Sequence, residues 1–122
     1  MILSFALTTE EFLRGTKTVT RRDFAPKQLD RWQTQYDKAP DKLHQAWDKV
    51  PFAGGQRIGS FRLTQRPYLE RLRDMPTEDL DAEGGMVETL EEFARLIGKS
   101  LDDEVTVIRF KKVEPPSYPH SA

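Results

Sequence analysis

The sequence contains no cysteine and only two histidines in 122 residues. The missing thiols exclude disulfides, a thiolate nucleophile and a zinc knuckle. His44 lies in a polar stretch and His120 in a proline-rich tail, so both are expected to be solvated surface residues rather than ligands or bases. Long apolar runs are also absent. The longest, Met1 to Leu7, is too short to span a membrane, and no basic segment precedes it as in a signal peptide. These features predict one domain with no cofactor, no metal and no membrane partner, resident in the cytoplasm. They leave the oligomeric state open.

Net charge is scarce as well, at -1, but the charges are unevenly distributed. Residues 14–28 carry five basic side chains against one acidic, and residues 56–73 repeat that ratio, so each segment nets +4. Residues 74–92 carry eight acidic side chains and no basic one. Such blocks can form one positive face that attracts a polyanion, or ordinary solvated faces.

Hydropathy patterning gives the order of elements. Residues 2–7 are apolar on both faces and read as a central strand. Thr8 and Glu11 then have capping-box spacing for a short helix that Gly15 ends. Residues 16–24 are rich in β-formers. In residues 27–52, Leu29, Trp32 and Tyr36 form one helical stripe and Leu43, Trp47 and Val50 a second, which predicts a helical insertion. Residues 57–66 alternate, with Phe61 and Leu63 on one face and Ser60, Arg62, Thr64 and Arg66 on the other. A strand over residues 68–72 and a helical turn over 76–80 follow. A second capping box at Thr89 and Glu92 starts another helix, and residues 104–113 form the last strand. Strands with isolated helices predict an α+β domain over residues 1–113 with a curled sheet, followed by a disordered tail over 114–122.

The chemistry concentrates in Gly15-Thr16-Lys17-Thr18-Val19-Thr20-Arg21-Arg22. On an ideal strand Lys17 and Thr20 point to opposite faces, so they converge only if Lys17 still lies in the turn or a bulge intervenes. Once together, a desolvated lysine can lose its proton and serve as base to a threonine hydroxyl. Arg21 and Arg22 would assist by like-charge repulsion. The alternative is a strand of solvated cations.

The pattern Gly15-x-Lys17-x-x-Thr20-x-Arg22, with Gly55-Gln56-Arg57-Ile58, Glu83-Gly84-Gly85, Thr89-x-x-Glu92-Phe93 and the closing segment Val105 to Phe110, resembles ASCH domains. The resemblance implies a PUA-like curled β-barrel and a partner that is RNA or a modified nucleoside. Gly15, Arg21, Arg22, Arg62 and Arg66 would line the binding cleft. Some small members are amidohydrolases that deacetylate N4-acetylcytidine. Their lysine, threonine and glutamate map onto Lys17 as base, Thr20 as nucleophile and Glu83 as acid. Ribonuclease activity has been ascribed to other members, so catalysis stays open. The chain departs from the small enzymes by the insertion at 27–52 and by Arg21, where they carry an apolar residue.

Overall fold

The computed structural model describes residues 1–114, so the tail expected to be disordered over 114–122 lies, but for residue 114, outside the described residues. Six strands and four helices alternate irregularly: β1 (Ile2–Ser4), α1 (Thr9–Arg14), β2 (Val19–Arg22), α2 (Pro26–Lys38), β3 (His44–Trp47), β4 (Arg57–Leu63), β5 (Tyr68–Arg71), α3 (Asp79–Ala82), α4 (Leu90–Leu96) and β6 (Glu104–Val113). Short 3₁₀ turns occupy Pro51–Ala53 and Leu72–Asp74. The fold is α+β, with one mixed sheet in the order β1-β3-β4-β6-β2.

The ten residues of β6 organise that sheet. Residues 106–109 pair antiparallel with β2, while β5 pairs with 104–107 and β4 with 110–113 along the other edge. Burial follows from this position. Val105, Thr106, Val107 and Ile108 are all buried, because both faces of the strand are covered. One core cluster joins Phe5, Phe12, Trp32, Phe61, Ile108 and Phe110. A second joins Leu72, Met75, Leu80, Phe93, Ala94 and Val105.

Four sequence expectations change. Residues 2–4 form a strand paired with β3 alone, so β1 lies at the end of the sheet and not at its centre. Its apolar content serves the turn that follows, where Phe5 enters the core beside Phe12 at a ring separation of 4.9 Å. The helical insertion is half right. Leu29 and Trp32 of α2 are buried, but His44–Trp47 is a strand held between β1 and β4. A spacing of three to four also describes two turns of helix, and pairing on both edges decides for strand. The first capping box does not form, since Thr8 makes no side-chain cap bond. The second does, with Thr89 Oγ1 accepting from the Glu92 N–H at 3.1 Å.

His44 is also buried rather than solvated. Its ring lies 5.0 Å from Trp32 and 5.5 Å from Phe61. Its Nδ1 is 3.1 Å from the Met1 ammonium, which can only donate, so the imidazole accepts there and is neutral. Burial, with the Met1 and Lys42 charges, pushes its pKa down to about 4 from 6.5. The unfolded chain therefore binds one more proton than the folded chain between those values. Stability should fall as the pH drops from about 6.5 to about 4, at no more than ~1.4 kcal/mol per pH unit from this group. Urea titrations of the wild type and of His44→Gln check this. A difference between the two that is flat across the window would refute the assignment.

Candidate functional site

Lys17 reaches the site because the strand starts late. Gly15 ends α1 in the left-handed conformation, at φ 77°, which costs glycine little. The next two backbone N–H groups donate back to Glu11 O. The Thr18 N–H then donates to Ala82 O at 2.9 Å, which lays residues 17–18 along the end of α3. Lys17 thus precedes β2, and it can share a cavity with Thr20 without a bulge.

Glu83 follows α3 and is buried. Its Oε1 accepts from Lys17 Nζ at 3.2 Å and its Oε2 from Arg21 at 2.9 Å, while its backbone carbonyl also accepts from Lys17 Nζ. The glycines after it permit this approach. A Cβ on Gly84, whose φ is +134°, would stand 2.8 Å from Thr8 Cγ2.

Arg21 lies on the opposite face of β2 from Thr20 and Arg22. Its guanidinium is buried among three carboxylates, at 2.9 Å from Glu70, 2.6 Å from Asp79 and 2.9 Å from Glu83. Asp79 also accepts from Arg109 at 2.6 Å and 3.1 Å. A chain of alternating charge therefore runs Arg109, Asp79, Arg21, Glu83, Lys17. Burial alone would lower the Arg21 pKa, but the hydrogen bonds to Glu70 and Asp79 and the charge of Glu83 hold it above its ordinary value. Burial likewise works against the charged form of Asp79, yet the bonds from Arg109 and Arg21 keep its pKa low.

Lys17 differs. Its burial outweighs the charge and hydrogen bond of Glu83, and its pKa falls below the ordinary value. Arg22 and Arg21 add smaller downward pushes, so like-charge repulsion is secondary to desolvation.

Lys17, Thr20, Arg21, Arg22 and Glu83 line one cavity of about 260 Å³. Phe5 and Phe93, from the two core clusters, form part of its wall, and Leu7, Met86 and Leu96 are exposed apolar groups at it. Thr20 Oγ1 accepts from Arg22 Nε at 3.0 Å. Arg22 also donates to Ser4 O at 2.6 Å and stands 5.4 Å over the Phe5 ring.

The remaining expected site residues are elsewhere. Gly15 shapes the approach to the cavity but is not part of its lining. Arg62 and Arg66 do not line it either. Arg66 pairs at 3.0 Å with Asp37 of α2, both side chains half exposed. The expected cleft of Arg21, Arg22, Arg62 and Arg66 is thus not assembled, and Arg21 is spent on internal pairs. Asp79, Glu70 and Arg109 escaped the sequence reading. The available signal was Arg21 itself, a cation on a β2 face whose neighbour Val19 is apolar, which requires buried carboxylates opposite. Among the described residues, no group of three or more His, Asp or Glu side chains could hold a metal ion, and no helix is long and apolar enough to cross a membrane.

The fold and its buried site define a six-stranded mixed-sheet α+β domain with a small, charged cavity alongside β2. A solved structure shares that fold over nearly the whole chain. It is protein EF3133 from Enterococcus faecalis, of the family described as DUF984, with a TM-score of 0.56, 16% identity, and coverage of 99% of this chain and 84% of that one. No protein-family model matches the sequence, and a search of curated proteins found no significant match.

Breaking the buried network should be costly. Arg21→Met leaves Glu70, Asp79 and Glu83 without a shared cation, and should destabilise the fold by about 3–5 kcal/mol. Arg66→Ala at the exposed Asp37 pair should change it by less than ~1 kcal/mol. Chemical denaturation of both variants checks the contrast, and similar small losses would show that the internal network carries no special weight.

Proposed function

We propose that this chain is an ASCH-like domain whose cavity recognises a single modified nucleobase. The observation that carries the reading is the convergence of Lys17, Thr20, Arg22 and Glu83 on one cavity while Arg62 and Arg66 stay outside it. The whole-chain fold likeness to a protein of DUF984, an ASCH-like family, supports it. So does size. About 260 Å³ is below the ~300–1,000 Å³ usual for drug-sized ligands, and suits one ring system better than a stretch of helix. Apolar groups at Leu7, Met86 and Leu96 offer the faces of a base something to pack on.

A second reading, hydrolysis of the N4-acetyl amide, is favoured by the lowered proton affinity of Lys17. In this reaction uncharged Lys17 takes the Thr20 proton as Oγ1 attacks the acetyl carbonyl. The proton passes to the N4 amine as cytidine leaves, and water then cleaves the acetyl ester to release acetate and restore Thr20. Arg22 Nε, already bonded to Oγ1, orients the hydroxyl. Glu83 accepts on both oxygens from cations, so its part is to orient Lys17 and not to supply a proton.

Incubation with N4-acetylcytidine, followed by chromatography for cytidine and calorimetry for binding, tests both readings. Hydrolysis predicts that Lys17→Ala and Lys17→Arg each lose ~10²–10⁴-fold in rate, since guanidinium stays protonated. Recognition alone predicts no cytidine and measurable binding. The absence of both binding and turnover would sink the nucleoside reading.

A further inference from the structure

One basic side chain at the cavity, Arg22, has no carboxylate of its own. Four basic side chains belong to it or to the network behind it: Lys17, Arg21, Arg22 and Arg109. Three carboxylates face them: Glu70, Asp79 and Glu83. Each cation but Arg22 has a carboxylate within 4.0 Å among the described residues. Glu83 is the acidic group whose field reaches Arg22, yet both its oxygens are already taken by Lys17 and Arg21.

The groups that do hold Arg22 are neutral. They are the Thr20 hydroxyl, the Ser4 carbonyl and the Phe5 ring. These bonds use two of five guanidinium N–H donors and fix the plane of the fork without cancelling its charge. A partly enclosed cation without a counter-ion is unfavourable, and a guanidinium cannot relieve the imbalance by losing its proton.

We infer that the missing partner is the ligand, and that the cavity takes a molecule with one anionic oxygen group, a phosphate or a carboxylate, against Arg22. The inference rests on the reading of this cavity as a ligand site, and it holds with Lys17 charged or neutral, because Arg22 lacks a carboxylate within 4.0 Å among the described residues in either case. Joined to the proposed nucleobase, it specifies a nucleotide rather than a neutral nucleoside, with the phosphate at Arg22 and the base along the apolar wall. The phosphate of a free nucleotide and that of an RNA terminus share this chemistry, and the experiment separates them.

Calorimetric titration of the intact protein with cytidine, cytidine 5′-monophosphate, N4-acetylcytidine, its 5′-monophosphate, inorganic phosphate, acetate and a 5′-phosphorylated trinucleotide provides the test. Each phosphorylated nucleoside should bind at least about tenfold more tightly than its neutral parent, as one charge-assisted contact requires. The advantage should shrink as salt rises. A tighter trinucleotide points to an RNA end, and an equal or weaker one to the free nucleotide. Arg22→Gln should bring the ratio near one, and Arg22→Lys should keep most of it. Should Arg22→Gln fail to fold, the wild-type ratio decides alone. Equal affinity for a nucleoside and its monophosphate would overturn the anion inference and leave the nucleoside reading standing. Binding of phosphate or acetate with no gain from the base would sustain the anion site and sink the nucleoside reading. Binding of none of the probes overturns both.

Discussion

The carboxylate of Glu83 is shared between Lys17 and Arg21, and the site's geometry depends on that sharing. A buried carboxylate is expensive unless cations and donors surround it. Here the two cations come from either side of the start of β2, one before the strand and one on its far face. Satisfying Glu83 therefore fixes where the strand begins and how α3 lies against it. The Thr18-to-Ala82 backbone bond completes the lock. Thr20 and Arg22, on the remaining face of β2, are left facing the cavity.

This arrangement also absorbs part of the charge segregation in the sequence. Of the eight acidic residues in 74–92, Asp79 and Glu83 turn inward onto Arg21 and Lys17, while the other six stay exposed. The second basic segment disperses. Arg66 goes to Asp37, Arg73 to Asp102 and Arg57 to Ser60. Part of each basic block is thus taken up in pairs within the fold, Lys17 and Arg21 in the first and Arg66 and Arg73 in the second.

Much of the fold was legible because strand alternation and chain punctuation agree. β6 has the predicted limits, and β4, β5 and α4 lie close to theirs. The failures have a common cause in long-range contact. His44–Trp47 has too few residues to carry its own period, and its pairing with β1 and β4 decides its state. Thr8 has the spacing of a cap but packs against Gly84, and that contact is invisible locally. The convergence of Lys17, Thr20, Arg22 and Glu83 was expected from the motif pattern. The partners of Arg21 were not, because a single sequence shows a buried cation only as one more arginine among exposed ones.

Arg21 also explains why Glu83 cannot be read in isolation. A glutamate paired with lysine alone would keep one oxygen for a ligand or a proton. The guanidinium occupies that oxygen, and Arg21 is itself held by Asp79 and Glu70, with Asp79 held in turn by Arg109. Each group in this series restricts the next, so the orientation of Lys17 is set partly from the side of the sheet that β5 and β6 cover. The polar groups that face the cavity with donors to spare are Lys17 Nζ, the Thr20 hydroxyl and Arg22. These are donors, apart from a hydroxyl that can also accept, and a cavity furnished in this way selects for acceptors. Carbonyl, phosphate and carboxylate oxygens meet that requirement. On the proposed reading, the apolar wall receives the flat ring at the other end of the ligand.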